Sequence, residues 1–580
     1  MKKYLFTLVL LSLIGRVFAQ ETNDIGTETV TVTKSYSPTV SDAFKIKLSP
    51  KMNDSIVLQK KPITYSIFSV PVASTFTPAK GKAATVEKTP PPTLYNSYAS
   101  IGLGNFNNAL VDFYTSREIN RREDFFDVGL THHSSRGDIA TTPLETNFYN
   151  TDLDVSYTKR TRDLDWGASV GLEHKLYNWY GLESGAFTQD QVLAIDETQN
   201  YFMGQAKAHL NLEDSPFTGG ELVLRRFWDA TESFENRAII SPSAELPIAE
   251  EWITIDGRLD YVGGTFKNSN LNQTQNTGEN SYGFAQFALN PSILILRNEL
   301  SVNLGANFVY GMDLENNNGN FYIYPAITAS YRLVDETVIA YGGLEGDLHQ
   351  NSYYELVGDN PYVSPTLLIQ PTDTQYNGYV GLKGQLLPNL GYNVKASYVT
   401  ENRKPLFLLN PQNLFRSEEG YAYGNSFQVF YDDLKTIGFF GELNVDVNRD
   451  FTLGLNAEFY SFNTETDNPA WNLPQLKGSL FMDYQIGKQW FFGANLFYVG
   501  EREDLRAIVI ESVLPNEFPS ETVTLEGFFD ANAHLGYRFN DQLSIFARMS
   551  NIANNNYQRW YNFRVQGFQA LAGASYKFDF

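Results

Sequence analysis

The 580-residue chain contains no cysteine. Disulfide scaffolds, thiolate zinc sites and thiol nucleophiles are excluded at once. Histidine is sparse: His132, His133, His174, His209, His349 and His534 are all there is. His132 and His133 are neighbours, and neighbours on a strand point to opposite faces, so they cannot share a metal. His209 and His534 fall on the polar phase of their segments and read as wall residues. No metal site and no cofactor are implied. Positive charge is also short, with 44 Lys and Arg against 66 Asp and Glu, a formal net charge of −22. A nucleic-acid partner needs a basic patch and is excluded. No run of 18 apolar residues exists, so no helical membrane span is expected.

One shorter apolar run remains, at the N-terminus. Lys2 and Lys3 precede the run from Leu5 to Ile14, which only Thr7 and Ser12 interrupt, and Val17-Phe18-Ala19 follows. Charge, apolar stretch and small residues in that order predict a secretory signal peptide over residues 1–19. Its loss would remove Lys2, Lys3 and Arg16 and make the chain more acidic still. Aromatic residues, in contrast, are abundant: 35 Tyr and 42 Phe within a 14% aromatic share. An exported chain without helical spans, dense in aromatics, fits an outer-membrane β-barrel.

Two textures divide the rest. Residues 20–93 are rich in Thr, Ser, Lys and Pro and run into "KTPPP", a stiff linker that continues neither helix nor ladder. Within them "TETVTVTK" alternates Val30 and Val32 with threonine, a β-prone and short stretch. Residues 94–580 are strand after strand. Phe451, Leu453, Leu455, Ala457 and Phe459 alternate with Thr452, Gly454, Asn456 and Glu458. Such period-two patterning puts each set on one sheet face. A soluble β-sandwich would show the same alternation. Long strands, aromatics at strand ends (Trp166, Trp490, Phe580) and alternation of tight and long connections favour lipid instead. Ten tight turns, following Arg117, Thr158, Asn211, Leu246, Leu296, Leu333, Leu387, Val447, Ile486 and Phe539, give 22 strands. This count requires Phe427 to Val447 to be one strand despite "DDLK" in its middle. The expected fold class is all-β, a transmembrane antiparallel β-barrel of about 22 strands with a short non-globular N-terminal segment.

The C-terminal motifs carry a family resemblance. "LGYRFNDQLSIFARMSNIANNNYQ", with its NxxNxxY segment at Asn551, Asn554 and Tyr557, and "GFQALAGASYKFDF" resemble the last hairpin and final strand of TonB-dependent receptors. "ETVTVT", comprising Glu28, Thr29, Val30, Thr31, Val32 and Thr33, resembles the TonB box or the strand after it. The resemblance implies the outer membrane of a Gram-negative bacterium, solute uptake, and TonB or another periplasmic protein as the partner of residues 28–33. It also implies lipid around the barrel. It makes Tyr576, Phe578 and Phe580 the signal read by the barrel-assembly machinery. The family carries a globular plug inside the barrel, and the Pro-rich residues 20–93 do not accommodate one of domain size. The lumen is then filled in one of three ways: by this segment, by long loops folding inward, or by another protein. The same features suit a second role, a non-transporting barrel that serves as accessory or scaffold in an envelope complex.

Candidate lumen-lining residues follow from strand phase: Lys395, Glu458, Asn495, Asp530 and Arg538. The acidic "ERED" at Glu501 to Asp504 reads as a solvated loop, with calcium binding as the sharper alternative. No HExxH, GxSxG elbow, P-loop or dinucleotide fingerprint occurs. His132 with Asp138 is the sole local pairing that hydrolysis could use, and the chain does not read as an enzyme.

Overall fold

The structure is a computed structural model. It describes residues 94–579, apart from 121–122, 138, 140, 249–250, 272–276 and 509–518. The predicted signal peptide, the Pro-rich segment, Glu28 to Thr33, Asp138 and Phe580 lie outside the described residues.

Among the described residues, twenty-two strands form one antiparallel sheet that closes on itself. The first strand, Ser97–Gly104, pairs on one side with Ala109–Asn120 and on the other with the last strand, Gln569–Phe578. Closure removes both sheet edges, as strands in lipid require. At the seam Ile101 stands opposite Ala574 and Leu103 opposite Ala572. The seam also accounts for Leu571, the one apolar residue on the polar phase of the last strand. It is 9% exposed. Its side chain covers Gly102, where an added Cβ would lie 2.5 Å from Leu571 Cδ2.

Strand phase sorts the wall. Val170 and Leu172 of Leu164–Asn178 are more than half exposed, as are Ile101 and Leu103. Such apolar exposure on alternate residues around a closed sheet defines a lipid-facing exterior. Paired rings mark its two rims: Trp490 on Tyr537 at 4.8 Å near the short turns, and His174 on Phe202 at 4.4 Å near the long connections.

The connections differ between the two ends. Ten turns of two to four residues sit at the end where the first strand starts and the last one finishes. Eleven connections of four to twenty-eight residues sit at the other. Outer-membrane barrels keep short turns in the periplasm, so the long connections face outward. Each predicted turn falls within three residues of an observed strand end. Phe427–Asn448 is a single 22-residue strand, "DDLK" included. Its acids lie toward the outer end and are satisfied there: Asp433 accepts from the Arg403 amide at 2.8 Å, and Asp432 from the Thr466 hydroxyl.

The long connections hold the remaining elements. Helix α1 is Gln189–Leu193 and helix α2 is Tyr353–Asp359. Arg502–Ala507 and Ser520–Leu525 form a two-stranded sheet, and Gln558–Trp560 pairs with Phe563–Arg564 in a second.

Candidate functional site: a loop cap over a polar lumen

The largest buried apolar cluster lies at the outer end of the barrel, built from connections and strand ends. Tyr180, Tyr362 and Phe563 are its centre. Tyr362 stacks on Phe563 with ring centroids 4.0 Å apart, and Tyr180 lies 5.0 Å from Phe563 and 5.6 Å from Tyr362. The Tyr180 hydroxyl donates to the Arg564 carbonyl at 2.8 Å. Tyr180 follows the fifth barrel strand, Tyr362 the thirteenth and Phe563 the twenty-first. Eight, eight and six strands of the twenty-two separate successive roots, so the three connections start about a third of the circumference apart. Their rings meet only because all three cross the mouth.

Backbone pairing reinforces the crossing. The Ser364 amide donates to the Phe427 carbonyl at 2.8 Å, and the Phe427 amide to the Tyr362 carbonyl at 3.0 Å. Asn425 Nδ2 reaches the Trp179 carbonyl at 2.6 Å, and Asn413 Nδ2 the Leu271 carbonyl at 2.7 Å. Loop backbone buried in this way needs such partners. The sequence carried a signal for this cap that strand phase could not use. Trp179-Tyr180, Tyr353-Tyr354, Tyr421 and Trp560-Tyr561 all lie in long connections, where solvated loops have no use for large rings.

Helix α2 fastens the cap to the wall. Ser352 caps it, its hydroxyl accepting from the Glu355 amide at 3.2 Å. Arg237, on Phe234–Ile248, grips Asp260 through Nε at 3.0 Å and Nη2 at 2.8 Å, and Glu355 through Nη1 at 2.7 Å. The side chain of Arg237 is only 8% exposed. Glu235 accepts from the Tyr282 hydroxyl at 2.7 Å and the Tyr353 amide at 2.5 Å, and Tyr353 donates to Asp229 at 2.8 Å. Arg225 lies over the Tyr354 ring, 4.1 Å from its centroid. Burial opposes ionisation of Glu355, but His349, Arg237 and Arg225 outweigh it and hold its pKa below the usual carboxylate range. Asp359, at the far end of α2, behaves oppositely: burial and the Glu355 charge raise its pKa, outweighing Lys404 and His349.

Beneath α2 lies a cavity of about 1210 Å³, lined among others by Arg258, Asp347, His349, Asp359, Glu401 and Lys404. Arg258 and Asp347 form a two-pronged pair at 2.9 and 2.7 Å, and Asn307 joins at 2.9 Å. The chamber is therefore polar, with much of its charge engaged across strands.

The residues singled out from sequence fall as follows. Lys395, Glu458, Asn495, Asp530 and Arg538 stand on the phase opposite exposed Val394, Phe459, Leu496, Phe529 and Leu535 of the same strands. They lie along one arc of the wall, from the fifteenth to the twentieth barrel strand. Asp530 accepts from Tyr557 at 2.6 Å and Arg538 donates to Gln485 at 2.8 Å. Tyr576 and Phe578 stack at 6.1 Å on the last strand. His132 bonds Thr151 at 2.7 Å and His133 bonds Asn108 at 3.2 Å, each on its own face. Among the described residues no three His, Asp or Glu side chains are grouped to hold a metal.

"ERED" departs from its reading as a solvated loop. Arg502 and Asp504 are buried, and Asp504 accepts from the Leu409 and Leu505 amides at 3.1 and 2.8 Å. Its carboxylate ties the longest connection to a strand end rather than standing free for calcium.

No protein-family model and no curated protein matches the chain. Solved structures do. The siderophore receptor PirA of Acinetobacter baumannii aligns with a TM-score of 0.61 at 12% identity, over 84% of this chain and 81% of that one. FpvA, the pyoverdine outer membrane receptor of Pseudomonas aeruginosa PAO1, gives 0.60 at 11%, over 85% and 80%. The ferric-catecholate import receptor Fiu of E. coli K12 gives 0.59 at 10%, over 84% and 82%. The fold is that of an outer-membrane receptor barrel. Its closed sheet and apolar exterior place this receptor-like barrel in the outer membrane of a Gram-negative cell.

Proposed function

We propose that this barrel moves a solute inward across the outer membrane and that its loop cap is the outer gate. The observation that carries the reading is the meeting of Tyr180, Tyr362 and Phe563 over the 1210 Å³ polar chamber. A mouth closed by its own connections above a solvated chamber suits gated passage, and a scaffold needs neither. The neighbours named as siderophore receptors and an import receptor support a transport role for the fold. Lys395, Glu458, Asn495, Asp530 and Arg538 then line the path. Glu28 to Thr33 serve as the strand that a TonB-type or other periplasmic protein pairs with, since an extended β-branched segment offers main-chain bonds to a sheet edge. The role is non-enzymatic.

The absence of native cysteine makes a clean test available. Tyr362→Cys with Phe563→Cys places two thiols where stacked rings now lie 4.0 Å apart. Cells with this variant, oxidised or reduced, are compared by mass spectrometry of the spent medium. A solute whose depletion stops on oxidation and resumes on reduction is the cargo. Identical depletion in both states, with the disulfide shown to form, sinks the transport reading and leaves the scaffold role.

A further inference from the structure

We propose that the lumenal wall beside the barrel seam is a binding site for multivalent oxyanions, built as a stair of unpaired cations from the cap to the periplasmic turns. The wall comprises the strands Phe528–Arg538, Leu543–Ser550 and Gln569–Phe578, with the small hairpin Gln558–Trp560 and Phe563–Arg564 above them. Arg559 and Arg564 line a cavity of about 340 Å³ at the top. Arg548 and His534, opposite one another in register, line a second of about 520 Å³ below. Ser550 lines both, so the two adjoin at that residue. Arg538 stands on the same phase four residues beyond His534, at the foot. Asp530 to Arg538 is eight residues, about 26 Å of strand.

Cations outnumber carboxylates along this wall; Asp112 of the neighbouring strand Ala109–Asn120 lines the lower cavity and accepts from the Tyr98 hydroxyl at 3.0 Å. Among the described residues, none of Arg538, Arg548, Arg559 and Arg564 forms an ion pair, whereas Arg237 and Arg258 across the lumen each hold a carboxylate. The one carboxylate on the inner phase of these three strands, Asp530, already accepts the Tyr557 hydroxyl. Arg538 and Arg564 each engage only Nη1, and only with neutral oxygens: Gln485 Oε1 and the Lys488 carbonyl for Arg538, the Asn556 carbonyl for Arg564. A fifth guanidinium crowds the top: Arg502 donates to the carbonyls of Arg559 and Gln558, and burial followed by the Arg559 charge pushes its pKa down to about 10. In a chain of net charge −22, four unpaired arginines on one concave strip are not explained by overall composition. Guanidinium forks match carboxylate and phosphate oxygens two at a time, and Asn532 supplies a neutral donor beside Arg548. A passage for anionic cargo along the stair rests on the transport reading; binding rests on the wall alone.

The test uses the full-length protein in detergent and inorganic pyrophosphate as probe, by titration calorimetry at low ionic strength. Wild type binds, and binding weakens as salt rises. Arg548→Gln with Arg559→Gln lowers affinity at least tenfold, while Lys207→Gln elsewhere on the lumen wall leaves it unchanged. Should the double variant fail to run as a folded barrel, phenylglyoxal mapping of wild type decides: pyrophosphate shields Arg548, Arg559 and Arg564 from modification. No binding by wild type, equal affinity in the double variant, or absence of shielding overturns the site. Because the readout is binding, it stands or falls independently of the cap-locking result.

Discussion

Arg237 shows how one residue couples wall to cap. A buried guanidinium between two carboxylates is costly to break from one side, because the Asp260 charge stays buried. Arg237→Ala is expected to cost about 3 kcal/mol locally, roughly a hundredfold in opening. Hydrogen exchange of the α2 amides should then be about a hundred times faster than in wild type, with strand amides far from Arg237 unmoved. Unchanged α2 exchange would show that the ring hub alone holds the cap. Asp504 makes a second residue-level case, with a pH signature. Burial raises its pKa to about 6, against hydrogen bonds from Leu409 and Leu505 that favour the ionised form. The folded value lies above the unfolded one of about 4. The stabilisation that protonation gives is therefore complete below about pH 4 and lost as pH rises through 6. Protease cleavage in the 500–527 connection should be faster at pH 8 than at pH 5, and Asp504→Asn should flatten that difference. Sequence could not place this residue. "ERED" reads as solvated until the Leu409 amide, 95 positions away, supplies the partner.

At the scale of elements, strands were legible and the behaviour of connections was not. A strand facing lipid on one side and water on the other must alternate, so phase can be read from residues such as Phe451 to Phe459. Turns were legible because they must be short and polar, as at Asn298 and Glu299. The inward folding of the long connections depends on encounters between segments 182 to 384 positions apart, such as Tyr180 with Tyr362 and with Arg564. Periodicity contains no trace of those encounters. The seam makes its own demand. An added Cβ on Gly104 would lie 2.5 Å from the Ala570 carbonyl oxygen, and one on Gly102 meets the end of the Leu571 side chain. Backbone cannot turn aside as a side chain can. Gly104→Ala should hamper closure more than Gly102→Ala, seen as a larger loss of the compact, heat-sensitive band on electrophoresis. Equal behaviour of the two variants would show that the seam is slack at Gly104.

For the whole molecule, what surrounds the barrel is decisive. A wall with Val170 54% exposed and Ser169 on the opposite phase of the same strand is a two-solvent object. Its stability cannot be argued from a central core, because its largest buried cluster sits in the cap. The outward apolar band must instead be matched by hydrocarbon, and the inner wall by water. This predicts an asymmetry between neighbours. Val170→Arg puts a charge into lipid and should cost about 2–4 kcal/mol near the bilayer midplane. Ser169→Arg puts the same charge into the lumen beside Lys207, its partner in register, and should cost well under half as much. Refolding into phospholipid vesicles across a urea series measures both. If the two substitutions cost the same, the exterior assignment of this strand fails, and with it the orientation of every residue placed on the lumen wall by phase. If the asymmetry holds, the inner wall is fixed by the same experiment, and the cap and the arginine stair can each be tested on a lumen whose facing is settled.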